Sequence, residues 1–363
     1  MNAPISIKEV AAHAGVSVGT VSNVLNRPEI VARATRDRVL AAIKTLGFVR
    51  NESARQLRAG RSRTIGLVVL DVANPFFTDV ARGVEDVASM SGLAVILCNT
   101  DERLDKEERY LELLEEHRVQ GILITPVANV DGRLIALQRR GTPVILVDSK
   151  SPSGSQCSVA VDDVLGGEAA MTHLIEAGHQ RICYVGSPAS LRPVTDRLDG
   201  ATRAIDRAAG ADVDLTVIET AALDVAAGQR AGAQIAGWPA GQRPTAAFCA
   251  NDLVALGLLQ EMTRQQIRVP EELAIVGYDD IEFAAAAAVP LSSVRQPRRE
   301  LGRMAAQLVL EEALGTPGHE HRQVIFRPEL EIRQSSQAAA VAIPGGPSLA
   351  RRRPGRPAEP ASA

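Results

Sequence analysis

Residues 6–25 read Ser6-Ile7-Lys8-Glu9-Val10-Ala11-Ala12-His13-Ala14-Gly15-Val16-Ser17-Val18-Gly19-Thr20-Val21-Ser22-Asn23-Val24-Leu25, two short helical periods separated by a glycine. Ser6 and Glu9 have capping-box spacing, in which hydroxyl and carboxylate each accept an otherwise unpaired amide of the first turn. Ile7, Val10, Ala11 and Ala14 then share one helix face, and Gly15 falls where a helix ends in a left-handed residue. Ser17 caps a second helix whose Val21, Val24 and Leu25 turn inward, leaving Val18, Gly19, Thr20, Ser22, Asn23 and Asn26 outward. Two short helices joined by a tight turn make a helix-turn-helix, a unit that places its second helix in the DNA major groove. Helical hairpins also occur in proteins that never touch DNA, so the pattern alone leaves both readings open.

The residues downstream favour the DNA reading. A third helix over about 35–46, with Val39, Ala42, Ile43 and Leu46, completes a small core that Gly47 closes, giving a head over 1–50. Asn51 can cap a short helix over 52–59 that carries Arg55, Arg58 and an outward Leu57, and residues 60–63 read as a basic linker. An apolar residue without a core on a basic helix suits wedging between base steps in a minor groove. Charge agrees, since residues 1–63 carry net +7, residues 64–336 net −13 and residues 337–363 net +3 within an overall −3. A basic head on an acidic body is the balance expected when only the head approaches a polyanion. A merely solvated basic surface would carry the same charge.

Four cysteines, Cys98, Cys157, Cys183 and Cys249, are far apart, without the spacing of a disulfide framework, a zinc module or a redox pair. No signal peptide and no run of about 18 apolar residues is present. The expectation is a cytoplasmic, nucleoid-associated protein with reduced, buried thiols and no membrane contact.

In residues 64–336, short β-rich runs at 65–70, 94–98, 122–125, 144–147, 182–185, 246–250 and 273–276 alternate with amphipathic stretches that include 78–90, 106–116 and 253–263. That alternation predicts parallel sheets covered by helices. Ligands of such sheets collect beyond the carboxyl ends of the strands, so polar residues following each run are candidates. They are Asn74 with Phe76 and Phe77 after the first run, Asp148 after the fourth, Asn251 after Ala250, and Asp279 after Val276. Arg197 follows the loop after the 182–185 run. Carboxylates can hold hydroxyls or amines, and an arginine can fork onto two acceptors. Each also has a structural reading, as a helix cap or a core residue.

Several motifs together carry a specific resemblance. Ile7 through Ala11, Gly15 through Ser22, Ala34-Thr35-Arg36-Asp37-Arg38-Val39 and Asn51 through Leu57 resemble the head and hinge of the lactose-repressor/galactose-repressor (LacI/GalR) family. Asn74-Pro75-Phe76-Phe77, Asp162-Asp163, His173 through His179, Arg197-Leu198-Asp199-Gly200, Asn251-Asp252 and Gly277-Tyr278-Asp279-Asp280 resemble its body, to about Ser336. The resemblance implies an α plus α/β protein: a three-helix head and hinge helix, then a two-lobed body like a periplasmic binding protein, with three crossovers and an effector in the cleft. It implies lobes of about 64–161 plus 292–336, and 162–291. It further implies base contacts from Val18 and Gly19, intercalation by Leu57, and effector contacts from Asp148, Arg197, Asn251 and Asp279, with Phe76 and Phe77 lining the site. Asn23 stands where a basic residue is common, and Ala32 where a capping serine is usual. The partners implied are operator DNA, a sugar-like effector and a second copy of the chain, in a repressor whose effector orders or melts the hinge helices. On this reading Arg197→Ala and Asp279→Ala proteins stay folded and lose only the effector response.

A catalytic reading finds little support. No nucleophile elbow or phosphate-binding loop is present, and neither His173/His179 nor His319/His321 has a set of metal partners in sequence. No cofactor or metal is therefore expected. The competing reading is a cytoplasmic sugar-binding protein or sugar enzyme with an unrelated helical appendage. The stretch 337–363, rich in Ala, Pro, Gly and Ser, reads as a disordered tail. Its Arg351-Arg352-Arg353-Pro354-Gly355-Arg356-Pro357 is similar to an AT-hook, with Pro354 in the place of an arginine.

Overall fold

Residues 5–49, 62–128, 132–186, 191–208, 212–315 and 319–337 are described by the computed structural model. The predicted hinge helix, with Arg55, Leu57 and Arg58, and the tail from 338 lie outside the described residues.

The head is three helices, α1 (Ile7–Ala14), α2 (Val18–Asn26) and α3 (Arg33–Leu46). Ser6 and Glu9 form the reciprocal capping box, with the Glu9 carboxylate 2.7 Å from the Ser6 amide. Gly15 takes φ 63° and turns the chain into α2, whose cap is Ser17, accepting from the Thr20 amide at 3.1 Å. Val10, Ala11, Ala14, Val21, Val24, Val39 and Ala42 are buried together, while Ile43 and Leu46 pack at the margin. Helix α3 begins two residues earlier than the sequence predicts, and Ala32 at its cap offers no side-chain acceptor. Ala32→Ser is expected to add that acceptor and stabilise the first turn by about 1 kcal/mol. Hydrogen-exchange protection of the amides at the start of α3 should rise about five-fold. Unchanged protection would mean that those amides are already satisfied.

The body alternates strand and helix: β1 (Thr64–Val69), α4 (Pro75–Met90), β2 (Ala94–Asn99), α5 (Leu104–Glu116), β3 (Ile122–Ile124), α6 (Gly132–Arg139), β4 (Val144–Val147), β5 (Ser158–Val161) and α7 (Asp163–Glu176). It continues with β6 (Arg181–Gly186), α8 (Arg192–Arg207), β7 (Asp214–Glu219), α9 (Val225–Ala236), β8 (Ala246–Cys249), α10 (Asp252–Arg264), β9 (Ala274–Asp279), α11 (Glu282–Ala286), β10 (Ser292–Arg295), α12 (Arg298–Ala313), β11 (Gln323–Phe326) and β12 (Glu329–Glu331). One sheet has the order β11-β5-β4-β3-β1-β2, all parallel. The other has the order β12-β10-β9-β8-β6-β7, parallel except for the edge strand β12. The helix-covered parallel sheets are as the alternation predicts, and their division between two lobes is as the resemblance implies.

The strand pairing corrects one predicted boundary. Residues 292–295 and 329–331 pair in the second sheet, so the last crossover into the first lobe lies after β10, and the chain crosses again between β11 and β12. Strands β5 and β7 are among those outside the predicted runs; β5 is fully buried, and β7, bounded by Asp214 and Glu219, is an edge strand with several exposed positions.

Glycines set how closely the covering helices approach. A Cβ on Gly167 of α7 would lie 2.0 Å from the Arg197 carbonyl oxygen of α8, and one on Gly200 would lie 2.0 Å from that of Val164. Only reciprocal glycines let the two backbones touch, and the Arg197-Leu198-Asp199-Gly200 motif thereby holds Arg197 against α7. Gly83 of α4 and Gly302 of α12 repeat the arrangement in the first lobe.

Candidate functional site

In the head, the outward face of α2 is as the period predicts. Ser17, Val18, Gly19, Asn23 and Asn26 are exposed, with Thr20 and Ser22 half-buried. Not all of them are equally available to a base edge. Ser17 and Thr20 share a hydroxyl contact of 2.9 Å, and the Asn26 amide donates to the Ser22 carbonyl at 2.8 Å. Val18, 42 % exposed, stands at the start of the helix. A Cβ on Gly19 beside it would make an ordinary contact with the Ser17 hydroxyl, 3.6 Å away.

In the body, a cavity of about 280 Å³ lies between the lobes. Asn74, Phe76, Phe77 and Asp148 face it from the first lobe; Arg197, Asn251 and Asp279 face it from the second. All seven predicted effector residues thus reach one cavity, yet their chemistry differs. Phe76 and Phe77 pack edge to face at 5.0 Å and are buried, an apolar wall suited to a ring face. Asn74 caps α4 through the Phe76 amide at 3.0 Å, and its side-chain nitrogen donates to an Asp279 oxygen at 3.3 Å, joining the lobes. The other Asp279 oxygen accepts from Gln296 at 2.7 Å. Asn251 accepts from the Val254 amide and donates to the Leu223 carbonyl, each at 2.9 Å. Asp279 and Asn251 therefore have their main bonding positions filled by the protein.

Arg197 is the clearest case of a structural residue at the site. Its guanidinium lies 2.8 Å from Asp163, donates to the Ala250 carbonyl at 2.7 Å, and stacks 3.8 Å from the centre of the Tyr278 ring. Both charged partners are buried. Burial opposes the Arg197 charge, but Asp163 first, with Tyr278, Asp279 and Asp148, holds it well above the ordinary range. This geometry opposes the expectation that Arg197→Ala leaves a stable fold.

Asp148 is different. It ends β4 with φ 53°, is buried, and its Oδ1 has no hydrogen-bond partner among the described residues. Burial, reinforced by Asp163 and Asp279 and opposed by Arg197, pushes its carboxyl well above the usual range. A buried, unpaired carboxyl oxygen on a residue that lines a cavity is costly to leave without a partner, which makes Asp148 the strongest candidate for a ligand hydrogen bond.

The sequence reading misses four other carboxylates on the wall: Asp71, Asp101, Glu102 and Asp224. Burial, with Asp71 and Asp224 nearby, raises the Glu102 carboxyl. Asp101 and Glu102 follow β2, so inspecting the residues beyond that run finds them. Asp224 follows β7, the edge strand that the pattern does not mark. A second cavity of about 400 Å³ shares Leu70, Asp148, Leu191 and Pro193 with the first. Its cations, Lys150 and Arg192, lie 3.8 and 2.7 Å from Asp196. Among the described residues no helix is long and apolar enough to cross a membrane.

Known proteins align with both parts. Residues 6–51 match the family described as bacterial regulatory proteins, lacI family, and residues 171–336 match the periplasmic binding protein-like domain. The HTH-type transcriptional repressor PurR of Aliivibrio fischeri is 34 % identical over 336 residues, covering 91 % of this chain and 98 % of that protein. The ribose operon repressor of Escherichia coli is 32 % identical over 332 residues, with 91 % and 99 % covered. The lac repressor dimer bound to operator and the anti-inducer ONPF superposes with a TM-score of 0.80 at 25 % identity, over 93 % of this chain and all of that one. A LacI-family regulator from Enterococcus faecium with bound ribose gives 0.68 at 29 % identity, over 75 % and 98 %. On these matches the chain belongs to the lacI family of bacterial regulatory proteins.

Proposed function

We propose that the protein binds operator DNA as a dimer through the α2 face and the hinge, and that a small, neutral, hydroxyl-rich ligand in the interlobe cavity sets its operator affinity. Its relatives are transcriptional repressors rather than enzymes, and this chain is a DNA-binding repressor under small-molecule control. The ligand assignment is carried by Asp148, a buried residue with an unpaired oxygen that lines a cavity also lined by other carboxyl groups and two phenylalanines. Carboxylates accept from sugar hydroxyls, and an aromatic face packs on the apolar side of a sugar ring.

The base-reading set is Val18, Gly19 and Asn23, with Ser17, Thr20, Ser22 and Asn26 holding the helix and touching phosphate or base edges. Arg55 and Arg58 serve phosphate, and Leu57 is the wedge. Two copies read a pseudopalindrome, which multiplies the few contacts of one head. The place of action is the nucleoid in the cytoplasm.

The test is duplex binding by the intact protein across a salt series. Leu57→Ala is expected to weaken a selected operator roughly 10- to 100-fold and a random duplex far less, because a wedge gains only where the central step kinks easily. Arg55→Ala and Arg58→Ala should weaken both duplexes and flatten the salt slope by about one each. Equal loss on both duplexes for Leu57→Ala would remove the wedge from the mechanism. An absence of sequence preference in the intact protein would remove the operator itself.

A further inference from the structure

We propose that the body contains a binding site for a zinc-like transition metal formed by Cys157, Glu312, His319 and His321. The four residues come from three places in the chain. Cys157 immediately precedes β5, Glu312 lies in the last turn of α12, and the two histidines lie on the approach to β11. No regular spacing in the sequence announces such a set. His319 and His321 alone resemble a surface pair, and Cys157 is more than 150 positions away.

One ligand atom from each residue lies within 4.8 Å of all the others. The Cys157 sulfur is 3.4 Å from His319 Nε2 and 3.8 Å from His321 Nδ1. One Glu312 oxygen is 3.2 Å from the same two nitrogens. For a tetrahedral zinc ion with ordinary bond lengths, donor atoms stand about 3.3–3.7 Å apart. The four measured separations straddle that range, so an ion can enter the cluster with small side-chain shifts.

In the metal-free protein the Glu312 carboxylate can accept from both imidazole N–H groups and from the Cys157 thiol. The same convergence suits a cation, because once those protons are lost or moved to the far ring nitrogens all four groups present lone pairs to one centre. Binding exchanges the thiol proton, released to water, for a sulfur–metal bond. Thiolate, imidazole and carboxylate together favour zinc over magnesium or calcium, which take oxygen donors.

The surroundings also suit a metal site. The Arg322 backbone N–H donates to the Cys157 sulfur at 3.3 Å, a bond that a thiolate strengthens. The far nitrogen of His321 lies 3.2 Å from the Gln138 side-chain amide, which after a 180° turn presents its oxygen to the ring N–H and fixes the ligating tautomer. Cys157, Glu312 and His319 are largely buried and His321 is partly open, so an ion has a path in. The metal would tie the start of β5, the end of α12 and the start of β11 together at one edge of the first sheet. This site is at the amino-terminal ends of those strands, away from the carboxyl-end cavity, and its failure leaves the effector reading intact.

The test uses tag-free, full-length protein stripped with chelator. Cobalt(II) should bind at one ion per chain with tetrahedral d–d absorption and a thiolate-to-metal charge-transfer band, and zinc should displace it. Zinc at 100 times its dissociation constant should raise the melting temperature by about 5 °C. Cys157→Ser should abolish the charge-transfer band, and His321→Ala, at the open side, should weaken binding at least ten-fold with an unchanged circular dichroism spectrum. The proposal is overturned by folded wild-type protein that binds no stoichiometric cobalt or zinc. It is equally overturned if the thiolate band survives in Cys157→Ser, or if His321→Ala binds as tightly as wild type.

Discussion

Arg197→Ala is expected to lower the stability of the body by roughly 3–5 kcal/mol, because it removes one member of a buried ion pair and strands the other. Asp163 would keep its burial and lose its guanidinium at 2.8 Å. The Ala250 carbonyl would lose its donor, and the Tyr278 ring its stacked cation. For a body of this size the melting temperature should fall by about 10 °C. Asp163→Asn in the Arg197→Ala background should recover part of the loss, since it removes the stranded charge. A melting temperature within a degree of wild type would mean that Arg197 is held for the ligand and not for the fold. Its test is thermal unfolding without ligand, where an effector contact contributes nothing.

The second large effect concerns the charge of the ligand. A neutral sugar is expected to stabilise the protein in a thermal-shift screen, while its phosphorylated form binds at least 100-fold more weakly. Asp71, Asp101 and Asp224 line the cavity beside Glu102, Asp148 and Asp279, whose carboxyls burial pushes towards the neutral form, and the arginine among the described lining residues is already paired with Asp163. A phosphate charge about 5 Å from one carboxylate costs about 3 kcal/mol at an effective dielectric of 20. Sugar acids should be excluded for the same reason. Tighter binding of a phosphorylated or carboxylated sugar would refute this assignment.

Asp148→Asn separates ligand recognition from stability at the same position. Its raised carboxyl means that the unfolded chain loses this proton at lower pH than the folded one. The Asp148 side chain therefore lowers stability as pH rises above about 4, the ordinary carboxyl value, towards its folded value. Asp148→Asn should melt about 2 °C higher than wild type at neutral pH, with the difference vanishing near pH 4, while ligand affinity falls about ten-fold or more. A lower melting temperature at pH 7 would show that the carboxylate is stabilised in the empty cleft.

The head was legible residue by residue because its information is local. A cap, its carboxylate three positions on, a glycine at the turn and a 3.6-residue apolar period all act within one or two helical turns. The parallel sheets were legible from alternation, and β7 escaped because Thr216 interrupts its short apolar run and Asp214 and Glu219 bound it, whereas the edge strand β2 keeps the unbroken run Ala94 to Cys98. The positions of Asn74, Asp148, Asn251 and Asp279 on the cavity follow from a rule about strand ends. Their division of labour does not. Whether a carboxylate accepts from Gln296, as Asp279 does, or lines the cavity with an unpaired oxygen, as Asp148 does, depends on neighbours far away in the chain.

Sequence by itself determined the helix-turn-helix, the basic head, the alternating body and the family to which the motifs point, because periodicity and capping are short-range physics written in consecutive residues. Only the tertiary structure decided that Arg197 locks Asp163, that Asn74 joins the lobes through Asp279, and that Cys157 meets Glu312 and two histidines. These are through-space encounters, set by which strands lie adjacent and how closely glycines let helices approach. Burial then fixes their energies, since the same carboxylate is nearly free of cost in water and expensive inside unless it is paired.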